Sequence, residues 1–283
     1  MSKKASTELA VKEEAGLPAF LQGETGYTGA EDIDATDITI PQIKVGQGTS
    51  AEVKDGTVEE GDLFLNVTGE VLAKAGEPLR FTPIARSKEY ILWRDRNFEG
   101  GGVMARAKRA IVNGNVRYIW NKAGETFDNK VGGKIKVQWT TEADGLIAEE
   151  GLDKWGSEIP GEEDSGKAAT AHHNYVVSLP DHEDMIAAFS LSRTQVKAAK
   201  DFNAMIRMAS LPMFARVFIA TTYTQTGGEN AWKNIKMKPA GVLQDSDLYA
   251  MLKGMHEHYA GAGFAVEQDK GDTAEADGEK GGF

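Results

Sequence analysis

Turn residues set the strictest limit on what this chain can fold into. From Ile38 onward, short apolar runs alternate with glycine, proline and asparagine breaks. Ile38, Ile40, Ile43 and Val45 read as an extended segment that Pro41 confines to an edge or an irregular strand. Residues 63–67, 79–85 and 89–93 are further strand-like runs, and Gly100-Gly101-Gly102 breaks the chain after them. The turn Asn113-Gly114-Asn115 predicts a hairpin leading into residues 116–120. Residues 134–139 alternate strictly, residues 173–179 form another run, and residues 214–222 and 232–238 flank the turn Thr226-Gly227-Gly228. Many short strands with turns between them predict a barrel or a sandwich.

Two segments break this period. Ser192-Arg193-Thr194-Gln195 has the spacing of a capping box, and Val196, Ala199, Phe202, Ile206 and Ala209 then fall on one helical face. A second helix is expected from about Ser246, burying Leu248, Leu252, Met255 and Tyr259. The fold class is therefore mainly β (α+β), with at least two helices. Residues 1–37 are expected to be a flexible arm, residues 38–260 the folded body, and residues 261–283 a disordered acidic tail, since so polar a segment cannot offset its ordering entropy by burial. Residues 140–169, acidic and glycine-rich, are expected to be a long loop.

The chain has 283 residues and no cysteine. Disulfides, cysteine-ligated metals and thiol nucleophiles are excluded. No apolar run reaches the roughly 20 residues of a membrane span, and no apolar stretch follows the basic N-terminus as in a signal peptide. A cytoplasmic protein without membrane contact is expected, in the host cell if a phage encodes it.

Net charge is −11, which argues against a phosphate ligand until the charge is mapped. Residues 80–139 hold thirteen Lys/Arg against five Asp/Glu, a local +8. They also hold Phe81, Tyr90, Trp93, Phe98, Tyr118, Trp120, Phe127 and Trp139. Cations that track a phosphate backbone, beside aromatic faces that stack on bases, are what a single-strand binder needs. An ordinary strand with a solvated basic face explains any one run equally well. The candidate nucleic-acid-binding residues are Arg86, Lys88, Trp93, Arg94, Arg96, Arg106, Arg109, Arg117, Tyr118, Trp120, Lys134 and Lys136. A second basic group adds Trp232, Lys236 and Lys238, which share a strand face opposite Ile235 and Met237. For Tyr118 and Trp120 a core position is the alternative, and the alternation of 134–139 favours the core for Trp139.

Catalytic constellations do not emerge. His172 and His173 are adjacent on a strand and point to opposite faces, so they cannot simply share a metal. His256 and His258 point apart on a helix. Asp181, Glu183 and Asp184 lie in a loop of a composition that is usually just solvated. No P-loop and no Gly-x-Ser-x-Gly elbow occurs. The expectation is a non-enzyme without metal or cofactor.

The acidic tail ends in Phe283, a large apolar side chain that serves no folding purpose there; a terminal Phe with its carboxylate can be captured by a partner's pocket. Such a tail behind a β-rich basic and aromatic body resembles single-stranded DNA-binding proteins of bacteria and bacteriophages. The segments Ile40-Pro41-Gln42-Ile43-Lys44, Gly61-Asp62-Leu63-Phe64, Leu152-Asp153-Lys154-Trp155-Gly156 and Lys236-Met237-Lys238-Pro239-Ala240-Gly241 resemble the phage kind most. The resemblance implies an elaborated OB-like barrel that coats exposed strands during replication or recombination. It also implies recruitment of replication proteins through the tail, with Phe283 as the docking residue. Here Lys280-Gly281-Gly282 stands before Phe283, where that family has acids. Self-association is left open. The rival readings are a virion structural or scaffold-like protein, and a metal-dependent nuclease or recombination enzyme using Asp181.

Overall fold

The computed structural model describes residues 40–93, 102–128, 134–137, 140–141, 151–159, 161–228, 230–262, 264 and 266. The expected arm, Arg94, Arg96, Trp139 and Phe283 lie outside the described residues, as does the expected tail apart from residues 261, 262, 264 and 266. The described residues all belong to one compact unit, Ile40–Phe283.

The fold is mainly β. In chain order come β1 (Gln42–Val45), α1 (Ala51–Lys54), β2 (Leu63–Leu65), β3 (Val71–Ala73), β4 (Leu79–Trp93), β5 (Val103–Val112), β6 (Asn115–Trp120), β7 (Thr126–Asp128), β8 (Lys134–Lys136) and β9 (Thr140–Thr141). Then follow β10 (Ala169–Leu179), β11 (Met185–Ser192), α2 (Val196–Met208), β12 (Arg216–Gly227), β13 (Asn230–Val242) and α3 (Ser246–Ala262). Eleven strands form one mixed sheet in the order β3-β2-β1-β11-β10-β4-β5-β6-β9, with β12 joined to both β4 and β13. β1 runs parallel to β11. β7 and β8 form a separate two-stranded ribbon.

The sheet has free ends at β3 and β9, so no closed barrel, OB-like or other, is found among the described residues. Its spine is β4. The sequence predicts two strands here, because Arg86, Ser87 and Lys88 interrupt the apolar pattern. They are one, because those three residues pair in full with Tyr175, Asn174 and His173 of β10. Pro83, which cannot donate to a ladder, sits beside the register shift. Ala85 faces Val176 and Pro83 faces Val177, which leaves Ile84 over. The carbonyl of Ile84 takes a hydrogen bond from His256 Nδ1 of α3 at 2.6 Å.

Three cores lie along this spine. The first is aromatic: Phe81, Tyr175, Phe189, Phe202 and Phe218 are buried together. Phe202 of α2 stands edge-on to Phe218 at 4.9 Å and to Tyr175 at 5.0 Å, within the favourable range for ring pairs. The second gathers Tyr90, Tyr118, Trp120, Ile135, Val137 and Leu152. Leu152 belongs to the segment expected to be loop, whose buried Leu152 and Ala168 tie it to the sheet. The third places Leu252 of α3 against Ile84, Val176 and Phe214.

The hairpin between β5 and β6 forms as predicted. Asn113 and Gly114 both take left-handed backbone angles, φ 51° and 76°, which a two-residue type I′ turn requires. The capping box does not form. Arg193 sits at φ 50°, a 3-10 turn Arg193–Gln195 precedes α2, and Ser192 makes no side-chain cap. α2 is held by packing instead, through Ala199 and Phe202. Phe202→Ala is therefore expected to destabilise the domain by about 3–5 kcal/mol, the usual cost of deleting a buried ring. Urea unfolding followed by intrinsic fluorescence measures it, and a shift under about 1 kcal/mol contradicts this packing account.

Candidate nucleic-acid interface

The structure divides the predicted binding residues into three groups. Some are structural. Tyr118 and Trp120 are each 2% exposed. They share a core with Tyr90 and Ala107, so their ring faces cannot stack on bases, and the binding role expected for them is corrected. Arg106 is likewise engaged inside. Its Nη1 lies 3.3 Å from both carboxylate oxygens of Glu89 and 3.0 Å from the carbonyl of Val266. Glu89 is buried at 3% exposure and also accepts from Asn174 Nδ2 at 2.9 Å. A buried carboxylate needs such a counter-charge, and that need fixes Arg106.

Trp93 belongs to a second polar chain. Its Nε1 donates to Thr170 Oγ1 at 2.8 Å, Thr170 Oγ1 lies 3.1 Å from His172 Nε2, and His172 Nδ1 lies 3.3 Å from Ser190 Oγ. The guanidinium of Arg193 stands 5.8 Å from the Trp93 ring. Burial, with Arg193 and Arg106 nearby, pushes His172 down to about 3. His173, on the other face, is pushed down to about 4 by burial and then by Lys88, Arg86 and Lys200. The two rings do point apart, as strand alternation requires.

A second group is partly engaged. Lys134 is paired with Asp128. Lys88 is half-buried, with Nζ 5.0 Å from the Tyr90 ring and 6.0 Å from that of Tyr118. Arg117 is half-buried, and Trp232 is half-buried with its ring laid over Gly227. A Cβ on Gly227 would come within 2.7 Å of that ring, so a side chain there would displace it.

The third group faces solvent: Arg86, Arg109, Lys136, Lys236 and Lys238. On the β12–β13 hairpin, Ile235 and Met237 turn inward while Lys236 and Lys238 turn outward. The register sets Thr221 opposite Lys236 and Ile219 opposite Lys238. A groove of about 320 Å³ runs here, lined by Gly76, Ile219, Thr221, Thr222, Lys236, Lys238 and Pro239. Lys236 Nζ also stands 5.8 Å from the ring of Tyr223, which is 39% exposed. Sequence reasoning missed Tyr223. Its strand was legible, but which lysine stands beside it depends on hairpin register.

Buried Asp62 shapes the groove wall. It accepts from the Ala75 amide at 2.9 Å and from Lys74 Nζ at 3.1 Å. The Gly76 amide donates to Thr222 Oγ1 at 3.0 Å, and that hydroxyl donates to the Gly61 carbonyl at 2.6 Å. The segment Gly61-Asp62-Leu63-Phe64 thus anchors the 74–77 turn against β12.

Asp181, the residue on which a nuclease reading rests, pairs with Arg80 at 3.2 Å. Among the described residues, no three His, Asp or Glu gather in a way that could hold a metal ion. No helix among them is long and apolar enough to cross a membrane.

The chain matches the Pam3 phage gp34-like protein family over residues 11–264 and belongs to it. No curated protein and no solved structure matches it.

Both buried histidines bear on acid stability. Their folded-state values lie below the usual 6.5, so between pH 6.5 and about 4 the unfolded chain binds protons that the folded one refuses. Stability is then fully present above pH 6.5 and falls as pH drops. The urea midpoint is expected to be lower at pH 4.5 than at pH 7, and His173→Gln is expected to shrink the difference. An unchanged pH slope in that variant contradicts a neutral buried ring.

Proposed function

We propose that this protein binds single-stranded DNA through the outer face of the β12–β13 hairpin. It coats strands exposed during phage replication or recombination, largely without regard to sequence, and performs no catalysis. The observation that carries the reading is the exposed ring of Tyr223 beside Lys236, which lines a groove together with Lys238. An exposed aromatic flanked by cations offers a base a stacking surface and its phosphates a counter-charge. Membership of a phage family supports the setting. Exposed Arg86, Arg109 and Lys136 supply further positive charge. In the same reading, Phe283 docks replication proteins.

Fluorescence anisotropy of a labelled oligonucleotide across a salt series tests the proposal. Affinity is expected to fall steeply with salt, with a log–log slope of about −0.7 per phosphate neutralised. Tyr223→Ala is expected to cost about 1–3 kcal/mol, and Lys236→Ala with Lys238→Ala to flatten the slope. Absence of binding at low salt sinks the proposal. Unchanged affinity in both variants moves the interface off this hairpin.

A further inference from the structure

A second cluster of cations lies on the face of the sheet that holds the aromatic core, outside the lining of the hairpin groove. Arg86 and Lys88 alternate along β4, opposite Tyr175 and His173 of β10. α2 lies over this stretch, since the Tyr175 hydroxyl bonds the Ala199 carbonyl at 3.2 Å and Asn203 Oδ1 at 2.9 Å. Lys200, one residue past Ala199, is exposed on that helix. Arg86 is itself bonded to Tyr175. The ring of His173 is buried at 5% exposure, and its Nδ1 has no hydrogen-bond partner among the described residues. Among the described residues, Lys88, Arg86 and Lys200 are the charges that act on the ring.

One feature of this cluster is unfavourable without a ligand. A buried ring nitrogen with no partner loses its hydrogen bond to water and regains nothing. An anion with several acceptor oxygens relieves it, and nearby cations favour an anion over a neutral acceptor. A phosphate group suits the donors present, since a guanidinium fork, two ammonium groups and a ring N–H all donate and none accepts in its place.

We propose that Arg86, Lys88, His173 and Lys200 form a phosphate-binding site, with His173 Nδ1 donating at its floor. The group is either the phosphodiester of a nucleic-acid backbone or a free or terminal phosphate. The site stands on its own residues, whether or not the hairpin binds DNA.

Titration calorimetry of the full chain with inorganic phosphate, at ionic strength held constant with sodium chloride, tests it. The expected result is saturable binding, weakened about tenfold or more by Arg86→Gln with Lys200→Gln and unchanged by Lys236→Ala with Lys238→Ala. Both members of the first pair are exposed, so the fold should survive. As a check without substitution, the His173 ring resonances of the natural chain are expected to move on adding phosphate and to stay still on adding chloride. No saturable binding, full affinity in the Arg86/Lys200 variant, or an unmoved His173 ring overturns the proposal. A single-stranded oligonucleotide that displaces the phosphate identifies a backbone ligand. Simultaneous binding of both identifies a free or terminal phosphate. Failure of the oligonucleotide to bind at all, with phosphate still bound, leaves this site standing and removes only the hairpin reading.

Discussion

The pairing of β4 with β10 is the interaction on which the rest of the structure depends. One ladder from Thr82 to Leu92 fixes which side chains share a face over its whole length. A one-residue slip in such a ladder would move every side chain to the other face. Phe81, Tyr175 and Val177 would leave the aromatic core, and Tyr90 and Leu92 the second one. The register shift at Val176 and Val177 lets the ladder pass Pro83 without losing that assignment, and His256 satisfies the carbonyl left over at Ile84.

The same ladder explains why polar residues run through the middle of a buried sheet. Glu89, His172 and Asn174 lie on the face away from the aromatic core, and each is at most 3% exposed. Buried polar groups cost free energy unless they are bonded. Arg106 and Ser190 supply such bonds to Glu89 and His172 from neighbouring strands, and Thr170 to His172 from the same strand. Two residues that looked like ligand contacts, Trp93 and Arg106, are held there. A positive residue in a basic stretch serves a ligand only if the fold has not already given it an acid.

Much of the architecture was legible in the strand runs, since hydrophobic alternation and turn chemistry are local. The β5–β6 turn at Asn113-Gly114, the inward Ile235 and Met237, and the buried face of α2 at Ala199 and Phe202 all follow from spacing. Where expectation and structure part, a distant partner decided. Residues 79–93 became one strand because β10 pairs across the polar gap. The cap at Ser192 failed because the chain must turn at Arg193 to bring α2 over Tyr175. Among the described residues no closed barrel is found: β12 and β13 branch from the end of β4, and the sheet order ends at β3 and β9.

By itself the sequence determined a β-rich protein with two longer helices, no cysteine chemistry and a concentration of positive charge in an acidic chain. Those are properties of composition and of neighbours along the chain. Only the tertiary structure decided which of the aromatic and basic residues are free to meet a ligand. Tyr118 and Trp120 are core, Arg106 is a counter-ion, and Tyr223 is exposed beside Lys236. Exposure and pairing are relations between strands far apart in sequence, set by register, and no local pattern carries them.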